Sequence, residues 1–208
     1  MKEWSELVKE SKILQILKEK DKKLLDKVED IREKVKPILE RTNVIFPNYT
    51  LHNVDHSDAV VKNFDIIIPE GLMRAMNKWE LFFLVVSAYL HDIGMSFDVE
   101  LSKYDIDRER FEEFKKKLEG KSDDEIVREF IRTYHHFRSK EYIEKHWKDL
   151  ELNNHHQADI IGRICMGHRE LEVDFGGSPW QGEIIIHNIR NIILVYASRS
   201  DLGSNSGF

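Results

Sequence analysis

Ten histidines occur in the 208 residues of this chain, and four of them share a setting that invites chemistry. His56, His91, His135 and His168 each fall on the apolar face of a separate predicted helix, and Asp92 stands directly beside the second. An imidazole or carboxylate left unpaired in apolar surroundings is costly, or it changes protonation state to avoid the cost. A lone histidine on an apolar face is ordinarily a core residue hydrogen-bonded to backbone. Four on four helices, one with an adjacent aspartate, point instead to a bound metal, because helices of a bundle bring inward-facing donors together from distant positions. Imidazole nitrogen and carboxylate oxygen suit Mn, Fe, Zn, Ni or Co, one or two ions, with Mg also compatible, and disfavour copper(I). Cys165 lies one turn before His168 but has no C-x-x-C companion and reads as a small core residue. His146, His155 and His156 lie in polar surroundings and read as solvated. His52, four residues before His56, either lines the site or serves a second metal.

The elements that must position these groups read at helical period throughout. Leu14, Leu17, Leu24, Val28, Ile31, Val35 and Ile38 form a stripe at three and four spacing, interrupted where Asp21 takes a seam position. The interruption is a turn between two helices or a polar break in one. Such a stripe docks on its own domain or pairs with a second chain as a coiled coil, so a homodimer is one expectation. Asn53 or Asp55 caps a helix carrying His56, Val60 and Phe64. "FFLVVSAYLHDIGM", Phe82 to Met95, predicts a buried helix over about 79–93, with Gly94 as its C-terminal stop. Residues 98–121 are charged and weakly periodic and read as a surface excursion. Ser122 to Glu125 is a capping box opening a helix through Ile126, Phe130 and Tyr134 to His135, and another helix is expected after Ser139. The next runs from about Gln157 with Ile161, Ile164, Cys165 and His168 on one face. "IIIHNIRNIILVYASRSD" is long enough, with its apolar spacing, to favour a final helix. The fold class is all-α.

Composition narrows the function further. A net charge of −6 and a pI near 5.9 argue against a general nucleic-acid grip, which needs basic surface to neutralise phosphates. The single cysteine excludes an internal disulfide and predicts a reducing compartment. The opening "MKEWSELVKE" is charged throughout, unlike a signal peptide, and the longest apolar run is too short to span a bilayer. These features predict a cytoplasmic protein with no membrane partner.

The order H…HD…H…H, carried by "LHNVDHSDAV", "AYLHDIGM", "RTYHHFRS" and "ICMGHRE", resembles the HD-domain superfamily of metal-dependent phosphohydrolases. More narrowly it resembles HD domains of the type fused to GHKL-type ATPase modules. The resemblance implies an HD-domain helical bundle over 46–208 with an N-terminal helical extension over 1–45. It also implies that His56, His91 and Asp92 hold the first metal, with Asp92 as the bridging ligand. His135 and His168 match the histidines that hold a second metal in some branches, with His136 a rival to His135. The family's last helix usually reads like "LADALD", its first aspartate a ligand. Here "YASRSD" places Ser198 at that position and Asp201 one turn later, so the expectation is that the last ligand is lost, that Asp201 reaches in, or that the terminal segment is a truncated or altered end.

The resemblance implies hydrolysis of a phosphate mono- or diester, with a nucleotide or related phosphorylated small molecule as the substrate. Asp92 would be central to catalysis, and Arg132 and Arg138, with Arg169 behind them, would hold the non-reacting phosphate oxygens unless they serve as surface salt bridges. The alternative is a catalytically impaired HD domain that senses a nucleotide or mediates assembly.

Overall fold

The computed structural model describes residues 6–46, 52–96, 105–118 and 120–167. In chain order these form α1 (Glu6–Lys9), α2 (Lys12–Lys20), α3 (Lys22–Leu39), α4 (Thr42–Ile45), α5 (Val54–Ile67), α6 (Glu70–Ala75), α7 (Lys78–Leu90), the 3-10 turn η1 (Ile93–Met95), α8 (Asp105–Lys116), α9 (Asp123–Lys145) and α10 (His155–Met166). No strand occurs among the described residues, so the all-α expectation holds there. None of these helices is long and apolar enough to cross a membrane.

The bundle is organised around α7, which packs against α2, α3, α5 and α10. Every residue from Leu84 to Leu90 is buried. A helix apolar on all sides belongs in the middle of a bundle. Asn77 and Glu80 form its capping box, so the helix begins at Lys78. It ends at Leu90, where the apolar run ends and three residues short of the expected 93, because the chain tightens through His91 and Asp92 into η1.

The N-terminal stripe is divided by a true turn. Asp21 closes α2 and caps α3, its carboxylate accepting from the Lys23 and Leu24 amides. Val28, Ile31 and Val35 are fully buried in the main core together with α7 residues, while Ile38 is only partly buried against that core and Leu39 beside it is fully buried. Each such side chain contributes roughly 1.5–3 kcal/mol when fully buried. The chain thus covers its own stripe, and a homodimer would have to use another surface. Asp65 of α5 fixes the start of α2, accepting from Ser11 Oγ at 3.1 Å and from the Lys12 and Ile13 amides at 2.9 and 3.1 Å.

Two local expectations are corrected. The segment read as a surface excursion contains α8, whose Phe111 is buried edge-on against Phe130 of α9, ring centroids 5.2 Å apart. Nor does a new helix begin after Ser139: α9 runs unbroken to Lys145. The Ser139 hydroxyl does not cap a helix because it is engaged elsewhere, donating to the His91 carbonyl at 2.6 Å.

Candidate metal centre

Each donor is delivered by a local rule. His52 precedes α5 and His56 lies in its first turn, where the Asn53 side chain accepts from the His56 amide at 3.1 Å. His91 closes α7, its amide still donating to the Ser87 carbonyl, and Asp92 opens η1. His135 comes from the middle of α9. The turn bearing the His-Asp pair is fastened to α9 by Ser139, whose Oγ also accepts from the Gly94 amide at 3.0 Å. Gly94 lies directly on the α9 backbone: a Cβ there would stand 2.2 Å from the His135 carbonyl oxygen and 2.6 Å from the Ser139 nitrogen. The sequence reading of Gly94 as a helix stop is thus replaced by a packing role.

The rings converge on the buried Asp92 carboxylate. Its Oδ2 lies 2.8 Å from His52 Nδ1, 3.0 Å from His91 Nε2 and 3.5 Å from His56 Nε2, and its Oδ1 lies 3.4 Å from His135 Nε2. Ligand atoms of His52, His56 and Asp92 all fall within 4.8 Å of one another.

The outer nitrogens of two of these rings decide what the inner ones are. His91 Nδ1 lies 3.0 Å from the Ala88 carbonyl and His135 Nδ1 lies 2.8 Å from the Arg132 carbonyl. A carbonyl only accepts, so Nδ1 carries the proton in both rings, and in the neutral ring Nε2 turns a lone pair toward Asp92. Lone pairs facing a carboxylate repel unless a proton or a metal ion lies between them. Metal-ligating histidines donate their other N–H to a carbonyl or carboxylate in this same way. The donor set therefore fits a divalent cation, held by Asp92 and by imidazoles from α5, α7 and α9.

The electrostatics of the site agree with that reading. Burial pushes the His56 imidazole down to about 4, so this ring is neutral and ready to ligate at neutral pH. Burial also works against charge on His91, but the adjacent Asp92 carboxylate and the Ala88 carbonyl outweigh it and raise its pKa. Burial would raise Asp92, yet His91, His135 and His52 together hold it well below the usual carboxylate range. A proton on His91, favoured by the raised pKa of that ring, would occupy the place a cation would take. Binding must displace it, so metal affinity is expected to rise with pH until the raised His91 pKa is passed, and to level off above it. Calorimetry of Mn(II) binding at pH 7 in buffers of different ionisation enthalpy checks this. Proton release on binding is expected; an enthalpy that does not change with buffer would contradict it.

Among the residues singled out by sequence, His56, His91, Asp92 and His135 are brought together. His136 is also buried, but its ring packs on Phe137, centroids 4.3 Å apart, while His135 faces Asp92. The Arg132 guanidinium pairs with Glu129 on the exposed side of α9; its contribution to the site is its carbonyl. Arg138 is buried next to the Gly94 turn. His168, Arg169, Ser198 and Asp201 lie outside the described residues. His52, left open by the sequence, belongs to the cluster, and its spacing of four from His56 was the available signal. The roles of Ser139 and Gly94 in holding the His-Asp turn carried no local signal at all. His155 and His156 are exposed, as their polar context indicates, and Cys165 is buried in the core with its thiol toward the Ser87 carbonyl.

The family model HD-CE matches residues 46–177, well over half of the chain. No curated protein and no solved structure matches it. Its matched segment begins just before the loop bearing His52 and includes every donor described above. This chain is a member of the HD-CE family of HD domains.

Proposed function

We propose that this chain is a metal-dependent phosphohydrolase acting on a nucleotide or a related phosphate mono- or diester in the cytoplasm. The observation that carries the reading is the convergence of His52, His56, His91 and His135 on one buried carboxylate, with the outer nitrogens of His91 and His135 held by backbone carbonyls. A bound divalent ion would supply Lewis acidity toward a water molecule and a phosphoryl oxygen. Asp92 would anchor that ion, with Mn, Fe, Zn, Ni and Co the fitting candidates. His52 is the most exposed of the four rings, 26% against 6% for His135. Substrate would therefore approach from its side, and His52, hydrogen-bonded to Asp92, is placed to take up or return a proton there. Arg138 is the proposed partner for a non-reacting phosphate oxygen, and Arg132 would join it only by leaving Glu129. His168 would add an imidazole and Asp201 a carboxylate.

The serine at position 198, where the family pattern has aspartate, favours a second reading in which the domain senses a nucleotide without turning it over. Hydrolysis assays with Mn(II) across nucleotide mono-, di- and triphosphates and cyclic diesters separate the two. Activity that is lost in Asp201→Ala, or raised in Ser198→Asp, is the expected result. Absence of turnover in both the wild type and Ser198→Asp, with nucleotide binding retained, would replace hydrolysis by sensing.

A further inference from the structure

Arg32 belongs to α3, outside the family-matched segment, yet it makes the most deeply buried ion pair among the described residues. Its side chain is 4% exposed and that of Asp58 is 1% exposed. The guanidinium engages the carboxylate with two prongs, Nε to Oδ1 at 2.9 Å and Nη2 to Oδ2 at 2.7 Å. The hydroxyl of the fully buried Tyr89 donates to the same Oδ1 at 2.9 Å, and Arg32 Nη1 reaches Glu33 at 2.7 Å.

The positions of these groups in sequence matter as much as their contacts. Asp58 follows His56 by two residues on α5, and Tyr89 precedes His91 by two on α7. One carboxylate thus joins, within a turn of the donors, the two helices that bring His56 and the His91–Asp92 pair together. Desolvating an ion pair is expensive, and well-packed apolar residues of similar volume stabilise a core equally well or better. What apolar contacts lack is direction: a two-pronged guanidinium and a hydroxyl are satisfied together by only one relative placement of α3, α5 and α7.

We propose that Arg32, Asp58 and Tyr89 are positioning residues for the metal centre, fixing the spacing of the His56 and His91 rings, whose centroids are 5.5 Å apart. The proposal rests on the metal-site reading above. It also gives the N-terminal extension a role, since α3 supplies the cation that sets the geometry of a site to which it contributes no ligand.

The test compares the wild type with Tyr89→Phe and with the triple variant Arg32→Met/Asp58→Val/Tyr89→Phe. Arg32→Met alone would strand a buried carboxylate and fail to fold, whereas the triple variant removes every polar member at once. Three quantities are measured on the full chain, below the melting transition of every variant: the imidazole proton–carbon NMR signals without metal, Mn(II) affinity, and, separately, the melting temperature. Displaced His56 and His91 signals are expected in both variants, with Mn(II) affinity about tenfold weaker in the triple variant even where its melting temperature is restored. Unchanged imidazole signals and wild-type Mn(II) affinity would overturn the proposal and leave the network a stabilising one only. A wild type that binds no Mn(II), with the signals nonetheless displaced in the variants, would refute the metal reading and uphold the positioning role. Should the triple variant fail to fold, Tyr89→Phe decides on the same signals.

Discussion

Protein purified without added metal is expected to carry one or two divalent transition-metal ions per chain, and the double variant His91→Ala/Asp92→Ala to carry none. Asp92 is the one group that all four imidazoles approach, and His91 is its nearest Nε2 neighbour at 3.0 Å. Loss of a group that merely orients a ligand costs about 10–100-fold in metal affinity, so removal of the carboxylate itself should exceed that range. The same ion should stabilise the fold. At a hundredfold excess over Kd, ligand binding contributes about 2.7 kcal/mol, which raises Tm by roughly 5–11 °C for a chain of this size. Elemental analysis and melting curves with and without a chelator read both effects. The double variant should melt at one temperature under both conditions. Full metal content in that variant would remove Asp92 and His91 from the site.

The second large effect is expected from adding one methyl group. In Gly94→Ala the new Cβ meets backbone atoms of α9, the His135 oxygen at 2.2 Å and the Ser139 nitrogen at 2.6 Å, and no side chain can rotate away to relieve the overlap. The His91–Asp92 turn and α9 would have to separate, stretching both Ser139 hydrogen bonds. Overpacking of this kind costs about 3 kcal/mol or more, equivalent to roughly 6–12 °C in Tm. Because His135 is carried on the displaced helix, its Nε2 would also draw away from Asp92, and metal affinity should fall together with stability. Calorimetric melting and Mn(II) titration of Gly94→Ala check the two consequences. A variant melting within 2 °C of the wild type would show that the turn has slack the present geometry denies.

Local chain chemistry is enough to specify the all-α class, the buried α7, a cap for α5 at Asn53 or Asp55, the Ser122–Glu125 box that opens α9, and the candidate donors His56, His91, Asp92 and one of the pair His135–His136. All of these are written within a turn or two of chain, where apolar spacing and cap chemistry act. What one helix does to another was settled by packing alone. Adjacent residues on a helix point about 100° apart, and with both His135 and His136 buried, only the position of Asp92 shows which ring faces the site. Heptad spacing in α3 is satisfied equally by a second chain or by the chain's own core, and the packing against α7 made the choice. Arg132 and Ser139 are two further cases: Glu129 draws the arginine outward, while the His-Asp turn claims the serine hydroxyl, so that α9 continues where a break was expected. Arg32 is the furthest of all from sequence legibility. Its partner lies 26 residues away, and a charged residue flanking an apolar stripe gives no local sign of burial until the fold places a carboxylate over it.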